Sequence, residues 1–352
     1  MRAGFYKNKR VLVTGHRGFV GSWLCKVLDM AGAEVFGYGF EPDTTPSLFY
    51  TCRLDKKVKS YTGDVRDYEE LNETFDKTRP EIVIHLASQP LVLEGYERPG
   101  YTFDTNIMGT VNLLDCVRNT SCVKSVVNVT SDKVYFNRDW DWSYRENEEL
   151  KGEDPYSSSK SCSELITYSY GKSFFADRDI GISTLRPSNL IGGGDFARDR
   201  LIPDCVRAAM DKEDIVIRSP YASRCYQHVL EAVMAILMLA KAQYNDRSLA
   251  GCYNVGPDDS GCWTNGNLAG LFCEAWKRYT GREVKWVCAN SEGPKEASRM
   301  KVDSTKIRKV LGWEPRWNIE RAMDRTVEWH VEYKEEKDIP ALMEKQIREF
   351  LR

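Results

Sequence analysis

Tyr156 and Lys160 stand four residues apart in DPYSSSK, where Pro155 opens a helix and places both side chains on one face. An ammonium near a phenol favours the phenolate. Together with a cationic cofactor ring it lowers the tyrosine pKa from about 10 toward neutral, so that the oxygen takes a proton from a substrate hydroxyl. Spacing alone proves nothing, because Tyr168 with Lys172 and Tyr333 with Lys337 repeat it as ordinary helix-surface pairs. Tyr156 differs in following SVVNVTSDK, an apolar strand that ends beside Ser131. A second feature is the loop TGHRGFVG, with Gly15, Gly18 and Gly21 and, between them, Arg17 and Phe19. At a strand-to-helix junction such a loop gives a dinucleotide pyrophosphate close backbone approach and helix N-terminal N–H groups. Its position inside a complete βαβ unit gives the motif its weight.

The elements that must carry these groups alternate. RVLVTG, EVFGY, VKSYTGDV, IVIHLAS, SVVNVTS and ISTLR read as strands. Between them lie amphipathic stretches such as SWLCKVLDMAGA, Leu71 to Phe75, Thr105 to Val117 and the helix after Pro155. Near-continuous apolar strands in this order predict an α/β fold, a doubly wound parallel-sheet Rossmann domain covered on both faces. After Arg186 the rhythm breaks into Gly- and Pro-marked loops, which predicts a smaller α/β substrate-binding domain. The division expected is residues 1–186 with a return segment at about 225–258, and residues 187–224 with 259–352 for the second domain.

The ends of the strands supply further cofactor contacts. Ala87, next to Leu86 in HLAS, lets the backbone lie against the ligand. Asp64, followed by Val65, is placed to accept from an adenine amino group or to cap a helix. The usual acid at the end of strand two is replaced by about Gly39, and Arg17 is close enough in sequence to serve a 2′-phosphate, so NAD and NADP both stay open.

The 352 residues carry 50 basic and 52 acidic side chains, a formal charge of −2, so no basic field attracts nucleic acid or an anionic membrane. The 11 cysteines are odd in number and scattered, and none forms a CxxC pair. With only four histidines, this argues against a disulfide framework, a zinc site or a metal cluster and fits a reducing cytoplasm. Ala232 to Ala240 is too short to span a bilayer, and the N-terminus lacks a signal-peptide core.

TGxxGxxG, HLAS, NxxGT from Asn106 to Thr110, and Ser131 with Tyr156 and Lys160 together resemble the extended short-chain dehydrogenase/reductase family. TGHRGFVGSWL, EPDTTPSLF, VTSDK, YRENE, DPYSSSK, NLIGGGDF, DRLIPD, IRSPYASRCYQHVLE and KVDSTKIRKVLGW sharpen the resemblance to its CDP-glucose 4,6-dehydratase branch. The resemblance implies a lyase, with Ser131, Tyr156 and Lys160 as the oxidation triad, Asn106 near a cofactor that is tightly bound and regenerated, and Asp132 and Lys133 as the dehydration pair. Chemically, oxidation at sugar C4 acidifies the C5 hydrogen and permits loss of the C6 hydroxyl. Asp132 would protonate that hydroxyl, a role that requires it to stay protonated in a buried site. Lys133 either removes the C5 proton or only orients the sugar. A 4-epimerase or reductase, or a non-catalytic dinucleotide sensor, needs no such pair.

The resemblance also assigns Asn189, Arg200, Arg218 and Arg224 to the nucleotide and diphosphate, for which arginine suits bidentate contact. Gln89, on the loop after strand four, and Tyr144 to Asn147 either meet the sugar or form an ordinary polar loop. Val20, Leu93 with Glu94, and Pro187-Ser188-Asn189 depart from the family's lysine, second basic residue and AGN. A homodimer is expected from packing of the helices at about Thr102 to Val117 and Ser157 to Phe175.

Overall fold

The computed structural model describes residues 4–258, 261–289 and 300–352. Strands β1 (Arg10–Thr14), β2 (Glu34–Tyr38), β3 (Lys59–Tyr61), β4 (Ile82–His85), β5 (Ser125–Val129) and β6 (Gly181–Pro187) are parallel neighbours. The chain then leaves the sheet for β7 (Asn189–Ile191), β8 (Ile215–Ile217) and β9 (Ser223–His228). It comes back as β10 (Cys252–Val255), parallel to β6, which completes the spatial order β10-β6-β5-β4-β1-β2-β3.

Both faces of this sheet are apolar, which is why the strands read as continuous hydrophobic runs. Val11, Val13, Ile82, Ile84 and Val127 pack on one side against Trp23, Leu24, Val233 and Ile236 of the helices Phe19–Met30 and Val229–Asn245. Leu12, Val83 and Val126 pack on the other against Leu71, Phe75, Leu113 and Val117. Each such side chain contributes roughly 1.5–3 kcal/mol when fully buried.

The helix Pro155–Ser173 is attached differently. Asp154 caps it by accepting from the Ser157 N–H at 3.0 Å, and Pro155 occupies its first turn. Its buried face, Tyr156, Ser159, Lys160, Ser163, Glu164 and Thr167, is polar at helical spacing. Ser159 accepts from Asn106 Nδ2 at 2.8 Å, while Ser163 and Thr167 accept from Asn128 Nδ2 at 2.9 and 2.8 Å. Directional bonds, each worth about 0.5–1.5 kcal/mol net, thus fix the rotation of the helix that carries Tyr156 and Lys160. The helix expected over 105–117 is helical throughout, widened at Asp104–Met108 before it continues as Gly109–Asn119. A Cβ on Gly109 would press to 2.7 Å of Val65, so the glycine permits the close crossing.

The second cluster of elements holds β7, β9 and β11 (Cys262–Thr264) as one small sheet, and β8 with β12 (Trp286–Cys288) as a parallel pair. Its core joins Ile202, Val206, Ile215, Phe272, Trp276, Met323 and Val327. Cys225 and Cys262, opposite each other on β9 and β11, form a disulfide, a departure from the expectation for scattered cysteines: pairing of the strands brings together residues 37 apart in sequence. No described helix is long and apolar enough to cross a membrane.

Candidate functional site

The C-terminal ends of β1, β3, β4 and β5 lie at one edge of the parallel sheet. Gly15 turns the chain there with φ +70°, and a Cβ on it would come within 2.7 Å of the Ala87 nitrogen, so conformation and space both require glycine. A Cβ on Gly21 would overlap the Gly15 carbonyl. The loop delivers the chain into Phe19–Met30, whose N-cap is Gly18, with no side-chain cap and no acid in the first turn. The bare backbone and uncapped N–H groups fit a pyrophosphate. Leu86 and Ala87 donate from their backbones to Thr14 Oγ1 at 3.3 Å each, which presses β4 against this loop.

Several expected contacts stand differently. Arg17 is buried and bonded to the Gly39 and Phe40 carbonyls at 2.8 and 3.1 Å. Asp64 does not cap the following helix. Asp67 does, while the Asp64 carboxylate accepts from Arg66 Nη2 at 2.6 Å and from the Arg66 N–H at 2.9 Å. Asn106 spends its side chain on Ser159 and on the backbone of Gln89. Gln89 in turn donates to Thr102 Oγ1 at 2.8 Å. Tyr144 is buried, stacked on Tyr135, and its hydroxyl accepts from the Arg138 N–H at 2.6 Å. Glu146, in the same segment, holds the Asn254 N–H of β10. These polar residues look ligand-facing in sequence because buried turns consume the same donors and acceptors that ligands do.

The reacting groups do converge. Ser131 hydrogen-bonds Tyr156, accepts from the Lys133 N–H at 3.2 Å and donates to Asp132 Oδ1 at 3.1 Å. Lys133 Nζ donates to Asp132 Oδ1 at 3.3 Å and to Asn189 Oδ1 at 3.2 Å, and Asn189 Nδ2 donates to the Cys225 carbonyl. Asp132 is 1% exposed, and its Oδ2 has no hydrogen-bond partner among the described residues. Asp132 and Lys133 both act electrostatically on the Tyr156 phenol, so the pair and the phenol share one space.

Burial raises the Tyr156 pKa; Lys133, the Ser131 hydrogen bond and Arg200 work against that rise, and Asp132 adds to it. The lowering expected of this phenol draws on a cationic cofactor ring as well as on Lys160. The cation that opposes burial most is Lys133, and protein groups by themselves leave the phenol protonated. Lys160, bonded to the Val129 carbonyl at 3.3 Å, is itself pushed down to about 8 by burial, against the pull of Glu164. His85, bonded to Thr14, falls to about 3 through burial and then the charge of Lys160.

Of the expected diphosphate contacts, Arg200 acts on Tyr156 and pairs with Asp195 at 3.2 Å. Arg218 is exposed and pairs with Asp199 at 3.3 Å, whereas Arg224 is buried and donates to the Ser223 carbonyl. Sequence reasoning missed Glu164, which takes hydrogen bonds from Thr130, Thr184 and Arg186, the last at 2.7 Å with both partners about 3% exposed. Its place four residues after Lys160, on the same helix face, was the available signal.

An edge that gathers a glycine loop, a Ser-Tyr-Lys set and a buried acid is where open parallel sheets take ligands, and the fold is of the short-chain dehydrogenase/reductase type. The chain belongs to the GDP-mannose 4,6 dehydratase family, whose pattern matches residues 12–326. It is 40% identical to the CDP-glucose 4,6-dehydratase of Salmonella typhimurium over 99% of this chain and 97% of that protein. It is 25% identical to the UDP-glucose 4-epimerase of Lacticaseibacillus casei, over 92% of this chain and 98% of that one. Among solved structures, UDP-glucose 4-epimerase from Thermotoga maritima, determined with UDP-glucose, superposes with a TM-score of 0.78. The two are 22% identical over 92% of this chain and 99% of the other. A dTDP-glucose 4,6-dehydratase double mutant from Streptomyces venezuelae, with NAD bound, gives 0.77 at 24% identity, covering 93% and 98%.

Proposed function

We propose that this chain is a nucleotide-sugar 4,6-dehydratase that converts an NDP-hexose, CDP-glucose, to the 4-keto-6-deoxyhexose with loss of one water. The observation that carries the proposal is the pair of buried Asp132 and partly exposed Lys133 acting on the Tyr156 phenol. Oxidation and reduction at one carbon need only Ser131, Tyr156 and Lys160; a second acid/base pair in the same space is what elimination adds. The 40% identical relative carries the CDP-glucose name, which supports that base and sugar.

In this reading the loop Gly15, Gly18, Phe19 and Gly21 holds the dinucleotide pyrophosphate, with Asp64, Val65, Leu86 and Ala87 along its flank. When bound, the nicotinamide supplies a hydride acceptor for C4 and gives the hydride back at C6. With the positive charge of the bound nicotinamide added to those of Lys133 and Lys160, Tyr156 would stand as the phenolate and take the proton of the C4 hydroxyl, and Ser131 hydrogen-bonds the same oxygen. Lys160 keeps a positive charge beneath the site. Once C4 is a ketone, Asp132 gives its proton to the C6 hydroxyl, which leaves as water. Lys133, fixed by Asp132 and Asn189, removes the C5 proton or orients the sugar for that loss. A proton returns to C5 as the hydride returns to C6, and the proton taken up by Tyr156 makes good the one lost by Asp132, so the protein finishes as it began. Arg200, Arg218, Arg224 and Asn189 serve the diphosphate and nucleotide.

The reading includes a cofactor half at 1–186 with 225–258, a substrate half at 187–224 with 259–352, cytoplasmic residence and a homodimer. Exposure of Met108, Leu165, Tyr168 and Phe174 on the expected bundle helices supports the dimer. The test is to incubate the purified protein with CDP-, dTDP-, GDP- and UDP-hexoses and measure product mass. A product lighter by one water without net cofactor reduction is expected; an isomeric product of unchanged mass would mean epimerisation instead.

A further inference from the structure

We propose that Glu41 decides which dinucleotide this chain accepts, by holding Arg17 so that the adenosine ribose is received as in NAD and a 2′-phosphate is turned away. The inference rests on the dinucleotide reading above and deepens it.

The end of β2 is the place where a ribose-selective side chain is needed. Gly39 occupies it, has no side chain to give, and lies so close to the glycine loop that a Cβ would sit 3.4 Å from the Gly15 nitrogen. The groups that surround this position come from elsewhere: Arg17 from the glycine loop, Glu41 from two residues beyond Gly39, Thr62 after β3, and Tyr50.

Arg17 is the cation suited to a 2′-phosphate, and its donors are already committed. A guanidinium has four terminal N–H bonds and one on Nε. Nη1 donates to the carbonyls of Gly39 and Phe40, at 2.8 and 3.1 Å. Nη2 donates to Thr62 Oγ1 at 3.2 Å and contacts Glu41 Oε1 at 3.1 Å. Nε is buried without a partner among the described residues. The terminal donors are thereby used, and a 2′-phosphate would have to displace the Glu41 carboxylate to reach the cation.

Glu41 is itself fixed. Tyr50 donates to its Oε2 at 2.5 Å and Thr62 to its Oε1 at 3.3 Å. Its side chain is 57% exposed while that of Arg17 is only 7% exposed, so the carboxylate stands at the solvent side of a buried cation, where an incoming ribose arrives. A ribose diol donates O–H to such a carboxylate. A phosphate, carrying about −1.5 to −2 charges at neutral pH, is repelled by it.

The experiment measures dissociation constants for NAD⁺ and NADP⁺ by calorimetry on the wild type, Glu41→Gln, Tyr50→Phe and the double variant Glu41→Gln with Arg17→Met. The wild type is expected to bind NAD⁺ at least about tenfold more tightly than NADP⁺. Glu41→Gln, which keeps shape and removes charge, should shrink that ratio by about tenfold through tighter NADP⁺ binding. Tyr50→Phe should move it the same way by less, and adding Arg17→Met should abolish the gain. A wild type that prefers NADP⁺, or a ratio unchanged in Glu41→Gln while NAD⁺ still binds, overturns this inference and leaves the dehydratase reading standing. A wild type that binds neither nucleotide overturns both.

Discussion

Asn189 Oδ1 accepts a hydrogen bond from Lys133 Nζ at 3.2 Å, tying the loop after β5 to the strand that opens the second cluster of elements. Asn189 Nδ2 is held in turn by the Cys225 carbonyl at 3.2 Å, so Lys133 is aimed by β9 as well as by its neighbour Asp132. Asn189→Ala removes that aim without touching either member of the pair. Turnover is expected to fall roughly ten- to hundredfold, the scale of a misplacement of about 1 Å. Steady-state kinetics with the nucleotide sugar check it, with kcat falling more than KM rises; a change in KM alone would assign Asn189 to substrate binding only.

Tyr156→Phe deletes the phenol oxygen while leaving the ring that fills the buried site. Turnover should drop by roughly 10²–10⁴-fold, the usual contribution of one general acid–base group. Titration with NAD⁺ should show binding within about twofold of wild type. Unaltered turnover would remove Tyr156 from its assigned role.

Lys160 is buried, and its folded pKa of about 8 lies below the ordinary value of 10.5. Below pH 8 both folded and unfolded chains hold the proton, and the cost of burying the ammonium is fully present. As pH rises from 8 toward 10.5, the folded chain releases the proton first and the cost disappears. Lys160→Met should therefore be more stable than wild type by up to about 3 kcal/mol at pH 7 and by far less at pH 10, although inactive. Urea denaturation at the two pH values measures the difference; an equal gain at both would contradict the account.

Glu231 lies in the core beneath the C-terminal helices. Its Oε1 accepts the N–H groups of Arg316 and Trp317 at 2.8 Å each, and its Oε2 is buried without a partner among the described residues. Burial raises its pKa from 4.5 to about 7 against those two bonds. The cost of burying its charge is absent well below pH 4.5, grows as pH rises from 4.5 to about 7, where the unfolded chain releases the proton first, and is fully present above that. Glu231→Gln keeps an acceptor and removes the charge. It should stabilise the protein by about 1–3 kcal/mol at pH 8 and hardly at all at pH 5, as read by urea denaturation at both.

The alternation of strands and helices, the glycine loop and the common helix face of Tyr156 and Lys160 were all legible in the sequence, because periodicity and i,i+4 spacing act over a few residues. The disulfide, the widening of the helix at Asp104–Met108 and the hydrogen bond from Gln89 to Thr102 were not. Each depends on what a distant segment presents at short range.

Sequence by itself determined that a glycine loop and a Ser-Tyr-Lys set meet at one sheet edge, since parallel strands carry their C-terminal ends there. Tertiary structure alone decided which charges reach which atoms. Lys133 rather than Lys160 opposes the burial of the Tyr156 phenol, and residues 56 apart, Lys133 and Asn189, are bonded. Arg17 closes on Glu41 instead of waiting for a phosphate. Burial and electrostatic coupling depend on distance in space and on the exclusion of water, and neither is a function of position along the chain.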